Sequence, residues 1–261
     1  MSPPSVIIHR DPDELAAAVA ARMITRLTDV QAAHGSAHLV LTGGGIASRT
    51  YRSVAGSSAR GAVDWRALDV WWGDERFLPA GDSERNETQA WETLLSHVPV
   101  DPSRVHPMPP SDGPDGADPE AAAQRYADSL AAAARPEDHA AVPSFDLLLL
   151  GVGPDGHIAS LFPGKPALYE QERTVVAVRG APKPPPNRLT LTLPALQRAQ
   201  DTWLVVSGED KAKVVAMALS GAAGPTQIPA AAARGRQRTL WLLDRAAASA
   251  LPPDLARPAS P

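Results

Sequence analysis

The stretch that most constrains this chain runs from Phe145 to Pro163, FDLLLLGVGPDGHIASLFP. Its apolar run, Leu147 to Leu150, has no polar alternation, and a strand covered on both faces reads as such a continuous run. The pattern predicts an interior strand of a parallel sheet. The run then breaks at Gly151 and Gly153, where a missing side chain permits a sharp turn and close approach of a ligand to the backbone. Asp155 and His157 follow, opening what reads as a short helical segment. Open α/β sheets bind ligands outside the carboxyl ends of their strands, so the active site is expected here.

Gly151, Gly153 and Gly156 also satisfy the GxGxxG spacing of dinucleotide sites. That reading needs a full helix after the third glycine and an acid about 20 residues on, at the end of a second strand. Here Pro163, Gly164 and Pro166 cut the helix short, and Glu170 and Glu172 precede the next strand. No organic cofactor is expected.

The rest of the chain alternates strands with helices. A strand over residues 6–8 leads to Asp11, which has the features of a helix N-cap, with Pro12 in the first turn and Glu14 three residues on. An alanine-rich helix to about Asp29 follows. Strands are predicted over 38–42, 68–72, 147–150, 174–178, 203–206 and 239–242, and helices over 47–54, 86–95, 119–134 and 209–219. Leu189, Leu191 and Leu193 alternate with Thr190 and Thr192 as in a half-buried strand. Seven prolines at 99, 102, 107, 109, 110, 114 and 119 exclude regular helix and central strand over 99–119, which reads as a loop. This order implies a single α/β domain over 1–261, a modified doubly wound, Rossmann-like, mostly parallel sheet with helices on both faces. Residues 252–261 read as a frayed tail.

Composition narrows the partners. A net charge of -4 and a pI near 6.0 give no basic field for a nucleic-acid backbone. With no cysteine there is neither disulfide nor thiolate chemistry, which fits a reducing cytoplasm. The start, MSPPSVIIHRDPDEL, lacks the apolar core of a signal peptide, and no stretch reaches membrane-spanning length. A cytoplasmic protein is expected, acting on a small molecule, as a monomer or small homo-oligomer.

Three further stretches carry chemistry. Thr42 to Ser48, TGGGIAS, is a glycine-rich turn between a strand and a helix; successive N–H groups and the helix dipole there favour an anion such as a sugar phosphate. Asp74, Glu75 and Arg76 end the third strand, where acids could orient sugar hydroxyls or form internal ion pairs. Arginine stays protonated at working pH, so Arg76 would stabilise charge and never act as a base. Lys183 and Arg188 flank a proline run, with Arg179 nearby, and these cations could close over an anion. His157 is the best candidate general base, because histidine titrates near neutrality. The other six, His9, His34, His38, His97, His106 and His139, show no paired ligands at metal spacing, so no metal is expected. Ser160, in ASLFP, lacks the GxSxG context of a nucleophile and reads as a helix residue near the site.

Taken together, TGGG at 42–45, GDER at 73–76, GVGPDGHIASLFPG at 151–164 and PKPPPNRLTLTLPAL at 182–196 resemble the 6-phosphogluconolactonase family, within a group that includes glucosamine-6-phosphate deaminases. VSGEDKA at 206–212 and LWLLDRAA at 240–247 continue the resemblance in the expected order. The deaminases resemble DEY where this chain has Asp74-Glu75-Arg76, and HIAFNEP where it has HIASLFP. The resemblance implies hydrolysis of 6-phospho-D-glucono-1,5-lactone in the pentose phosphate pathway, without metal or cofactor. His157 would activate water, Arg76 would meet the developing oxyanion, and Asp155 would hold Arg76 or the imidazole. Asp74 and Glu75 would meet sugar hydroxyls. Phosphate would sit on the glycine turn with Lys183, Arg179 and Arg188. Relatives carry Ser or Thr after the second glycine, where this chain has Gly45 and Ile46. The N–H groups of Gly43, Gly44 and Gly45, helped by Thr42, Ser48 or Arg49, would substitute. A deaminase-isomerase and a non-catalytic sugar-phosphate sensor are the alternatives.

Overall fold

In the computed structural model, which describes residues 3–255, the run Leu147–Leu150 is a strand with all four residues buried. Burying each leucine is worth about 1.5–3 kcal/mol, and burial at every consecutive position means that both faces of the strand are covered. It lies inside a six-stranded sheet. In chain order the elements are β1 (Ser5–His9), α1 (Pro12–His34), β2 (Ala37–Leu41), α2 (Gly45–Gly56) and β3 (Leu68–Trp72). There follow β4 (Asp74–Arg76), α3 (Asn86–Thr93), α4 (Pro119–Ala133), β5 (Leu147–Leu150) and β6 (Val175–Val178). The last are β7 (Arg188–Leu191), α5 (Leu193–Leu196), β8 (Asp201–Val206), α6 (Ala212–Ser220) and β9 (Arg238–Asp244).

The main sheet has the order β1-β9-β8-β5-β2-β3, and every pairing in it is parallel. The α/β, mostly parallel architecture expected from the sequence is the one observed. From β2 the chain moves outward to β3, and from β5 it moves outward the other way to β8. The carboxyl ends of β2 and β5 therefore flank the point where the winding reverses, which is where such sheets form a crevice.

Local rules explain the elements. Asp11 caps α1, accepting N–H bonds from Asp13 (3.0 Å) and Glu14 (2.9 Å). The helix runs beyond the predicted end at Asp29 to His34, since nothing breaks it before Gly35, whose N–H bonds Gln31 C=O at 2.8 Å. Trp71, Trp72, Trp203 and Trp241 sit fully buried in the core. The proline-rich 99–119 segment contains only one short 3-10 turn, Pro102–Arg104, and one bridge to Val70. No helix among the described residues is long and apolar enough to cross a membrane.

Four expectations are corrected. Residues 154–164 form turns with one bridge between Ile158 and Leu161, so no helix follows His157. The threonine–leucine alternation is not half-buried: Arg188–Leu191 is buried at all four positions, between β4 and β6 in a second, three-stranded antiparallel sheet. Asp74–Arg76 do not end the third strand, which stops at Trp72, but form the first strand of that sheet, which the chain enters at Gly73. Of the expected frayed tail, Pro252–Leu255 form a turn closed by the Leu255 N–H to Pro252 C=O bond at 3.0 Å; residues 256–261 lie outside the described residues.

Candidate active site

Two loops leave the switch point of the main sheet side by side. After β2, Thr42 is pinned by Tyr51 of α2, which receives its N–H at 3.0 Å and donates to its C=O at 2.7 Å. Helix α2 then starts at Gly44 and Gly45 with no side-chain cap, so its first-turn N–H groups are available to a ligand. A Cβ on Gly43 would lie 1.8 Å from Asn86 Oδ1, so any other residue there would displace the buried Asn86 side chain.

After β5, the loop folds back on itself through Gly153 N–H to His157 C=O (3.0 Å) and Gly156 N–H to Gly153 C=O (2.9 Å). That fold brings His157 Nδ1 to 2.5 Å from Asp155 Oδ1. A Cβ on Gly153 would meet the imidazole at 2.1 Å, so the ring occupies the space a side chain would need. Burial acts against the Asp155 charge, but the hydrogen bond and charge of His157 outweigh it and hold the carboxyl down at about 2. An ionised Asp155 accepts the Nδ1 proton, which leaves the lone pair on Nε2. The ring packs against Phe162 with centroids 4.5 Å apart.

The second sheet supplies the facing wall. A hollow of about 260 Å³ is lined by Thr42, Gly43 and Gly44 on one side and His157 on another, with Asp74, Arg76, Lys183 and Arg188 opposite. Arg188, 5% exposed, donates from Nε to Pro185 C=O (3.2 Å) and from Nη2 to the Lys183 and Pro184 carbonyls (3.1 Å each). It thereby holds the proline loop that carries Lys183. Arg76 donates one N–H to the Glu84 carbonyl.

Not every expected residue reaches this hollow. Glu75 is fully buried behind it, accepting the N–H groups of Arg76 (2.7 Å), Asn86 (2.7 Å) and Glu87 (2.9 Å), with Arg85 at 3.8 Å. Burial pushes it up to about 7 against the pull of those partners. It anchors α3 and is not placed to meet a sugar hydroxyl. Arg179 is exposed, and neither it nor Ser48 is among the residues lining the hollow. Asp155 stands behind His157, on the imidazole and not on Arg76. Gly45 lines an adjoining hollow of about 520 Å³ with Arg49, Arg52 and Lys211, on the far side of the glycine turn.

Sequence reasoning passed over Asn86, Arg52 and Lys211. Asn86 read only as the first residue of a helix, and Lys211 lay within VSGEDKA without an assigned role. Among the described residues no group of three or more His, Cys, Asp or Glu is arranged to hold a metal ion.

The model of the glucosamine-6-phosphate isomerase/6-phosphogluconolactonase family matches residues 10–241. The chain belongs to that family. It is 62% identical over 257 residues to the 6-phosphogluconolactonase of Streptomyces coelicolor, covering 98% of each chain. To the Mycobacterium tuberculosis 6-phosphogluconolactonase it is 50% identical over 248 residues, covering 95% of this chain and 98% of that one. The solved structure of 6-phosphogluconolactonase from Trypanosoma brucei superposes with a TM-score of 0.81 at 28% identity, over 95% of this chain and 99% of that one. The GDER, GPDGHIASLFP and PKPPPNR motifs of this family member are the segments that wall the hollow around His157.

Proposed function

We propose that this chain hydrolyses 6-phospho-D-glucono-1,5-lactone to 6-phospho-D-gluconate, with His157 as the general base. The observation that carries the reading is the His157–Asp155 pair, set so that Nε2 has no hydrogen-bond partner among the described residues, in a hollow shared with the uncapped start of α2. The names of the relatives, at up to 62% identity, support the same substrate.

In this mechanism His157 Nε2 takes a proton from water as the water oxygen attacks the lactone carbonyl carbon. The negative charge that develops on the carbonyl oxygen is met by Arg76. Collapse of the tetrahedral intermediate breaks the bond to the ring oxygen, and the proton held on Nε2 passes to that oxygen as the alcohol forms. Asp155 keeps the ring in the Nδ1–H tautomer and balances the imidazolium while it exists. The phosphate lies against the first turn of α2, with Lys183 and Arg188 supplying positive charge.

The test is the rate of opening of freshly generated 6-phosphogluconolactone, corrected for spontaneous hydrolysis, with ammonia release from glucosamine 6-phosphate measured in parallel. Opening well above background with no ammonia is expected. Ammonia would move the chain to the deaminase branch, and silence in both assays would overturn the proposal in favour of a sugar-phosphate sensor.

A further inference from the structure

Behind the hollow, a chain of hydrogen bonds ties three elements to one carboxylate. Thr190 Oγ1 donates to Leu191 C=O at 3.0 Å and accepts the Ser160 N–H at 3.2 Å. Ser160, fully buried, donates its hydroxyl to Asp74 Oδ2 at 2.6 Å, a distance in the range of a charge-assisted O–H···O⁻ bond. Ala159, just before it, has φ +48, a left-handed conformation uncommon outside glycine, at the turn that leads Ser160 inward. From the other side Asn86 Nδ2 donates to Asp74 C=O at 2.9 Å and approaches Oδ1 at 3.5 Å.

Proton accounting fixes the direction of this chain. A hydroxyl has one proton to give. Thr190 gives its proton to a carbonyl and Ser160 gives its own to Asp74, so Oδ2 must be a bare oxygen and the Ser160 proton is committed. Asp74 is 6% exposed and lines the hollow, and Oδ1, with only the long Asn86 contact, has acceptor capacity left. The phosphate, carbonyl and ring oxygen of a phosphorylated lactone present acceptors. Its hydroxyls are the donors.

We infer that Ser160 is a positioning residue that holds Asp74 as a fixed acceptor for a ring hydroxyl of the substrate. The inference rests on the sugar-phosphate reading above and deepens it: the site selects a hydroxylated ring through Asp74, and Ser160 sets the aim. A buried acceptor built for a hydroxyl discriminates strongly against an analogue that lacks it.

The experiment is a double-mutant cycle of Ser160→Ala and Asp74→Asn, read as calorimetric binding of 6-phospho-D-gluconate and as KM and kcat for lactone opening, with melting curves for each protein. Ser160→Ala should weaken binding and raise KM roughly tenfold, the scale of a hydrogen bond to a charged group, with kcat within about twofold. Ser160→Thr, which keeps the hydroxyl, should restore most of the loss. The double variant should bind no more weakly than Asp74→Asn alone, because Ser160 acts through Asp74. A folded Ser160→Ala protein with wild-type binding and KM, or effects that multiply, would overturn the inference. If Ser160→Ala does not fold, Thr190→Val replaces it in the cycle with the same coupling expected. Wild-type protein that binds 6-phosphogluconate but opens no lactone overturns the proposed reaction while the binding cycle still decides the role of Ser160. Wild-type protein that binds none overturns both.

Discussion

The two ends of the main sheet each hold a histidine against an aspartate, but the two pairs stand in different surroundings, and the one at the carboxyl end faces the hollow lined by the glycine turn, Lys183 and Arg188. At the amino end, His106 Nε2 lies 3.0 Å from Asp69 Oδ1, much as His157 meets Asp155 at the carboxyl end. The surroundings differ. The His106 ring stacks on Trp71 with centroids 3.9 Å apart, and Asp69 is shared with Arg104 at 2.5 Å. The neighbouring His38 accepts the Trp71 indole N–H at 3.2 Å, and burial holds its pKa down. A hollow of about 330 Å³ opens at this end, larger than the one around His157, lined by His34, His38 and Asp146 but by no glycine turn. Asp146 accepts the His38 N–H at 2.8 Å, and burial pushes its carboxyl up. What sets the His157 pair apart is a hollow it shares with the uncapped start of α2, Lys183 and Arg188; neither hollow size nor pairing alone distinguishes the two ends.

Substitutions at the two ends should separate sharply. His157→Ala should lower kcat by about 10²- to 10⁴-fold, the usual contribution of a general base, while a steady-state assay of His106→Ala should find kcat within about twofold of wild type. A comparable loss in both would erase the distinction. Asp155→Asn should reduce kcat on the order of 10²-fold, toward the lower end of that range, because the Nδ1–H tautomer loses its acceptor and KM has no reason to move. Lys183→Ala should raise KM roughly tenfold with kcat nearly unchanged, if its charge binds phosphate equally in ground and transition states.

The smallest effect concerns acid stability. Asp155 is depressed from 3.8 to about 2 in the folded protein, so it contributes stability that is present above about pH 4 and lost as pH falls through about 2. Melting temperatures of Asp155→Asn should therefore fall less steeply than those of the wild type between those values. Asp69 is lowered in the same direction: burial opposes its charge, and the His106 hydrogen bond together with the charges of His38, Arg104 and His106 more than compensates. Asp69→Asn should flatten the acid limb likewise, and the pair would differ in activity but not in the sign of this effect.

The part of the molecule that follows local rules was open to sequence reasoning. Leu68–Trp72 and Leu147–Leu150 fell at the predicted bounds, and the Asp11 cap was visible because its residues lie within one helical turn. The glycine turn and His157 were visible for the same reason, both lying directly after a buried strand. The second sheet was not, because β4 is three residues long and too short to show a period, and its partner lies more than 100 residues away. Ser160 and Asp74 are 86 positions apart, so no spacing rule joins them. Glu75 was read as a ligand group because a charged triplet at a strand end says nothing of which carboxylate turns inward.

The most direct test is kcat/KM for lactone opening as a function of pH, measured side by side for the wild type and His157→Ala on the same freshly generated substrate. A single-proton fall on the acid side is predicted for the wild type, with a low and flat profile for the variant. An acid limb of the same position and height in both proteins would contradict proton removal by His157.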